Sequence, residues 1–104
     1  MLQENSKALS IVIPVFNEVN FLHRLFQQIK KYFNYEYIEV IVVDDGSNDG
    51  SSNLLEELKL QKNYNFSFTI IRLEINSGKG KAIQTGIKKS NGKFVLLQDA
   101  DLEL

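Results

Sequence analysis

Apolar runs and apolar stripes alternate along this chain. Leu9-Ser10-Ile11-Val12-Ile13-Pro14-Val15-Phe16 reads as a buried strand, and its proline, lacking an N–H for the ladder, should mark where pairing ends. Asn17 and Glu18 then fall on the exit turn. Leu22, Leu25, Phe26, Ile29 and Phe33 recur at helical spacing, opposite a face of mainly Arg24, Gln27, Gln28, Lys30 and Lys31, which predicts an amphipathic helix. Ile38 to Val43 is β-branched and stops alternating over its last four positions, as expected of a strand covered on both faces. Asp44-Asp45-Gly46-Ser47-Asn48-Asp49-Gly50 is dense in turn residues and opens a second helix carrying Leu54, Leu55 and Leu58, with Asp49 or Ser51 as N-cap. Phe68 to Leu73 predicts a third strand. Asn76 to Gly80 leads into a third helix whose inner face is Ala82, Ile83, Gly86 and Ile87, and Lys93 to Gln98 predicts a buried fourth strand.

Four strands alternating with three helices predict an α/β fold, a Rossmann-like parallel sheet with right-handed crossovers and helices on both faces. Such sheets bind ligands beyond the carboxyl ends of their strands, where the winding reverses. The polar clusters of this chain all fall at those ends. A strand order of 3-2-1-4 would make the first and fourth strands neighbours and set Glu18 beside Asp99 and Asp101. Acids at alternate positions of an extended segment share a side, so Asp99 and Asp101 are candidates to hold one hard cation, with Glu103 in phase as a third oxygen donor.

Length and charge narrow the options. At 104 residues the chain is one domain, and a net charge of -1 leaves no global reason to bind nucleic acid, so any anion site must be local. The absence of cysteine excludes a disulfide, a zinc-thiolate site and a cysteine nucleophile, and fits a reducing compartment. No apolar stretch approaches the ~20 residues of a membrane-spanning helix, and residues 1–8 have no signal-peptide core. A cytoplasmic location is therefore expected.

Rival motifs fail on context. Asp45 to Glu56 has calcium-loop spacing, but a strand rather than a helix precedes it, and Ser52 stands where such loops carry an apolar residue. Gly78-Lys79-Gly80-Lys81 is not a Walker A loop, because the upstream glycine is missing and Ala82 replaces Ser or Thr. It is not a dinucleotide fingerprint either, with Ile83 in the third glycine's place. What remains is a flexible loop at a helix N-terminus with Lys79 close by, suited to an anion.

Taken together, Ser10 to Glu18, Val42 to Ser47, Asn76 to Ala82 and Gln98 to Glu103 resemble the N-terminal half of a family 2 glycosyltransferase of the GT-A fold, most like the dolichol- or polyprenyl-phosphate mannosyl- and glucosyltransferases. The resemblance runs from Leu9 to Leu104. It implies that Pro14, Phe16, Glu18, Asp45, Gly78, Lys79 and Ala100 line a pocket for a UDP- or GDP-sugar, with Asp45 contacting the base. It also implies that Asp99 and Asp101, as the catalytic acids, hold Mg²⁺ or Mn²⁺, with Glu103 adding a metal ligand. The activity expected from it is an inverting, metal-dependent transfer to a polyprenyl phosphate or a glycan, at the cytoplasmic membrane face in the full-length form. Members of the family continue for about a hundred residues or more, so residues 1–104 are expected to be a partial GT-A domain. Such a domain would bind the donor without transferring alone, and its fourth strand would offer an edge for homodimerisation. Two readings compete: a non-catalytic nucleotide-binding or regulatory module, and a phospho-receiver domain, against which Leu73-Glu74 and the missing fifth strand argue.

Overall fold

A computed structural model describes residues 7–101. Strands β1 (Lys7–Val15), β2 (Ile38–Asp45), β3 (Ser67–Leu73) and β4 (Gly92–Leu97) alternate with helices α1 (Leu22–Tyr32), α2 (Ser51–Leu60) and α3 (Lys79–Lys89). All strand pairs are parallel, in the order β3-β2-β1-β4. From β1 to β3 the chain steps one way across the sheet, and from β3 to β4 it returns, so a right-handed crossover puts α3 on the face opposite α1 and α2.

The two faces are packed differently. On the α1/α2 side Ile11, Ile13, Val40 and Val42 meet Leu22, Leu25, Phe26, Leu55 and Leu58 in one apolar cluster, with Phe26 stacked on Phe68 at 5.3 Å. The α3 side is thin: Ile41 and Val43 pack on Ala82. Gly86 lies so close to the sheet that a Cβ there would stand 2.4 Å from Val12 Cγ1. The small residues Ala82 and Gly86 carry the α3 contact, and Ile87, expected inside, is 44 % exposed. Among the described residues no helix is long and apolar enough to cross a membrane.

Two expectations for the strands change. Pairing of β1 with β2 continues past Pro14 to Val15 and Asp44, whereas pairing with β4 stops where the Gln98 N–H donates to the Val12 carbonyl at 3.0 Å. Residues alternate in the direction of their backbone groups, so the missing N–H of Pro14 faces the β4 side, and pairing ends on that side alone. The fourth strand was expected to be buried, yet Phe94 to Leu97 are exposed, Phe94 by 73 %. β4 is an edge strand, and α3 lies against β1 and β2 instead.

At the amino end of the sheet Glu39 is buried to 6 % exposure. It accepts from the Ser10 hydroxyl (2.7 Å) and the Asn91 N–H (2.9 Å), while the Gly92 N–H donates to Ser10 Oγ (2.8 Å). This cluster ties the end of the α3 crossover to β1 and β2.

Candidate active site

Three turns meet at the carboxyl end of the sheet, and their polar residues bond to one another. Asn17, with φ at 52°, occupies the left-handed region that asparagine tolerates. Its N–H donates to Ser47 Oγ (2.9 Å) and its side-chain oxygen accepts from the Asn48 N–H (2.9 Å). The Glu18 N–H donates to Ser51 Oγ (3.0 Å), which anchors this residue to the first turn of α2. Neither Asp49 nor Ser51 is the N-cap of α2. Gly50 takes that place with φ at 98°, and Asp49, one residue earlier, accepts from the Ser51 N–H (2.9 Å) and hydroxyl (2.6 Å) and from the Val19 N–H (3.2 Å). Burial alone would raise the Asp49 pKa, but these bonds hold it below its ordinary value.

The adjacent acids Asp44 and Asp45 part ways because successive strand residues point to opposite faces. Asp44 turns toward the α1/α2 side, where its carboxylate accepts from the Ser47 N–H (3.1 Å), the Ser52 hydroxyl and Arg72 Nη1 (3.0 Å). Asp45 turns the other way. It is 3 % exposed and accepts from the Ser77 N–H (2.7 Å), the Gly78 N–H (2.9 Å) and the Asn76 amide (3.3 Å). Gly46 lets this loop come close: its φ is 74°, and a Cβ would stand 2.7 Å from the Asn76 nitrogen.

Between these turns lies a cleft of about 470 Å³. Of the ten residues expected at the site, nine line it: Pro14, Phe16, Glu18 and Asp45 from the first two strand ends, Gly78 and Lys79 from the third, and Asp99, Ala100 and Asp101 from the fourth. Glu103 lies outside the described residues. Asn76 and Ala82 also line the cleft. Sequence reasoning gave neither a role there, although an asparagine between a strand and a glycine is a recognisable turn signal.

The acidic segment is a turn rather than extended chain. Ala100 is 2 % exposed and packs into the larger apolar cluster, while Asp99 stays at the surface with its side chain 60 % exposed. Lys79 Nζ donates to Asp99 Oδ1 at 2.6 Å. Glu18 titrates above its ordinary value, first because of burial, then because Asp101, Asp49 and Asp99 face it, with Lys79 opposing. Negative charge is thus in excess at the mouth of the cleft. Among the described residues no three acids or histidines converge into a complete metal cluster. The oxygen donors of Asp99 and Asp101 and the surplus charge around them suit a hard divalent cation that takes its remaining ligands from a bound anion or water.

An open parallel sheet with an acidic cleft where its winding reverses is the arrangement of a GT-A glycosyltransferase domain, and the structure aligns with such proteins. It matches S. aureus TarS 1–349 with a TM-score of 0.79 at 28% identity, over 90% of this chain and 27% of that one. Against the mannosyltransferase PcManGT from Pyrobaculum calidifontis, solved with GDP-Man and Mn²⁺, the TM-score is 0.84 at 23% identity, a likeness of fold covering 92% of this chain and 28% of the other. The profile of glycosyl transferase family 2 matches residues 10–104, and the chain belongs to that family. It is 41% identical over 98 residues to the undecaprenyl-phosphate 4-deoxy-4-formamido-L-arabinose transferase of Pseudomonas fluorescens (strain SBW25), covering 91% of this chain and 28% of that protein. It is 33% identical over 104 residues to the dolichyl-phosphate beta-glucosyltransferase of Dictyostelium discoideum, covering 89% of this chain and 30% of that protein. The chain therefore spans under a third of the length of these curated relatives.

Proposed function

We propose that this chain is the donor-binding portion of a metal-dependent, inverting glycosyltransferase that takes a sugar from a UDP- or GDP-sugar and delivers it to a polyprenyl phosphate at the cytoplasmic face of a membrane. The observation that carries this reading is the convergence of Glu18, Asp45, Gly78, Lys79, Asp99 and Asp101 on one cleft at the point where the winding reverses. Relatives named for transfer to undecaprenyl and dolichyl phosphate support the acceptor class. TarS structures with UDP and with UDP-GlcNAc support a nucleotide-sugar donor.

In this reading each residue has a defined task. Pro14 and Phe16 form the apolar side of the nucleotide pocket, and Phe16 is exposed enough to pack on a base. Asp45, expected to contact the base, is 3 % exposed with its carboxylate bonded to residues 76–78, and in this reading it shapes that loop from below, so that the first N–H groups of α3, which have no intrahelical partner, face a diphosphate. Lys79 adds a positive charge at the same helix end. Asp99 and Asp101 would hold Mg²⁺ or Mn²⁺, which supplies neutralisation of the charge on the departing nucleoside diphosphate. A phosphate acceptor is already anionic and needs little help from a general base.

Isothermal titration of UDP-, GDP- and their sugar derivatives, with and without Mn²⁺, tests this directly. Binding that needs Mn²⁺ and falls by about tenfold or more in the Asp99→Ala, Asp101→Ala double variant is expected. Binding indifferent to both the metal and the substitutions would remove the basis of the proposal.

A further inference from the structure

We propose that Lys79 is a built-in stand-in for the divalent cation: in the free protein its ammonium holds Asp99, and it passes to the donor's diphosphate when metal and nucleotide arrive together. The inference rests on the reading of Asp99 and Asp101 as the metal-holding acids.

The contact joins the first residue of α3 to the turn after β4, two residues 20 positions apart in sequence, with Lys79 Nζ 2.6 Å from Asp99 Oδ1. Other acids at this end of the sheet are already engaged by the protein: Asp44 by Arg72 and Ser52, Asp45 by Ser77 and Gly78, Asp49 by Ser51 and Val19. Lys79 is the only cationic side chain among the described residues that line the cleft. The backbone just before it is held by the Gly78 N–H bond to Asp45, so its Cα is fixed while its four-carbon stem is free to swing. An ammonium is a compact point charge that occupies one oxygen of the carboxylate, much as a metal ligand bond would. Both partners are largely exposed, at 63% and 60%, so the pair is inexpensive to break once a better cation and a second anion are present. The arrangement makes metal alone a weak ligand, because it must displace Lys79. It also couples metal and nucleotide binding positively, because the diphosphate receives the displaced ammonium.

Mn²⁺ binding to the 104-residue chain, followed by the electron paramagnetic resonance signal of free Mn²⁺, provides the test. Lys79→Met should bind Mn²⁺ alone about two- to fivefold more tightly than wild type, while its affinity for UDP and GDP at saturating Mn²⁺ falls. Lys79→Arg, which keeps a cation beside Asp99, should bind Mn²⁺ alone no more tightly than wild type. Lys81→Met removes the same charge from a residue that forms no ion pair among the described residues, and should leave Mn²⁺ affinity nearly unchanged. The proposal is overturned if Lys79→Met binds Mn²⁺ no better than wild type, or if Lys81→Met raises the affinity equally, which would reduce the effect to net charge. Unchanged Mn²⁺ affinity in Asp99→Asn, Asp101→Asn would instead overturn the metal-site reading itself, and this inference with it.

Discussion

The two ends of β2 each bury a carboxylate, and each carboxylate ties down one end of the α3 crossover. At the amino end Glu39 accepts from Ser10 and from Asn91, just past α3. At the carboxyl end Asp45 accepts from Ser77 and Gly78, just before it. Both are nearly inaccessible to solvent, and both exchange the hydration of a carboxylate for hydrogen bonds donated by a loop. Their surroundings differ. Around Glu39 the strands close on one another, whereas Asp45 lies under a cleft that Glu18, Asp99 and Asp101 also face. The same device is a staple in one place and a support for the loop at the proposed donor cleft in the other, and what separates the two roles is the chemistry of the neighbours.

Removing the two carboxylates puts that contrast to its hardest test. Glu39→Ala and Asp45→Ala each leave buried donors without an acceptor, and each should cost about 2–4 kcal/mol in urea unfolding. Nucleotide affinity of the folded protein should fall only for Asp45→Ala, by roughly tenfold or more, since a small displacement of a ligand-positioning loop is costly. Equal loss of binding in both variants would erase the distinction between the ends.

Two glycines beside these staples sharpen it further. A Cβ on Gly92 would lie 2.6 Å from the Ser10 nitrogen and 2.8 Å from the Leu9 carbonyl carbon, backbone atoms that cannot yield, so Gly92→Ala should destabilise by about 1–3 kcal/mol. Gly80, at the opposite end of α3, has open space around its Cβ position. Gly80→Ala should be neutral or stabilise by up to about 1 kcal/mol in the same denaturation assay, because alanine favours the helix.

The smallest effect concerns charge at the cleft. Glu18 holds its proton more tightly in the folded protein than in the unfolded chain, so wild-type stability declines as pH rises from the ordinary 4.5 through the higher folded value. Glu18→Gln should therefore raise the melting temperature at neutral pH by about 1–2 °C, with the gain vanishing below the ordinary carboxyl range. Thermal scans from pH 4 to pH 8 would show this. A constant difference across that range would mean that the charge of Glu18 is not the cause.

Some of this molecule was readable from local pattern. The alternation of apolar runs with apolar stripes, bounded by turn residues, led to the α/β sheet and to polar clusters at the carboxyl ends, because periodicity and turn chemistry are properties of neighbouring residues. Other features escaped for definite reasons. Glu39 stood inside a β-branched run with no local sign of its partners, which lie 29 and 52 positions away. The split between Asp44 and Asp45 depends on strand phase, and a strand covered on both faces shows no alternation from which to read it. Phe94 to Leu97 looked like core, since an apolar run carries no mark of whether its strand is central or at an edge.

By itself, then, the sequence determined which segments become strands and helices, and which side chains stand at the strand ends. Only the tertiary structure decided which of those acids are spent on holding the loops and which face the cleft. Hydrogen bonding of a buried carboxylate depends on donors that arrive from distant turns, and their arrival is set by strand order and crossover hand. Asp45 and Asp99 look alike in a list of residues, yet the fold buries the first beneath two N–H groups and leaves the second at the surface, held by a lysine.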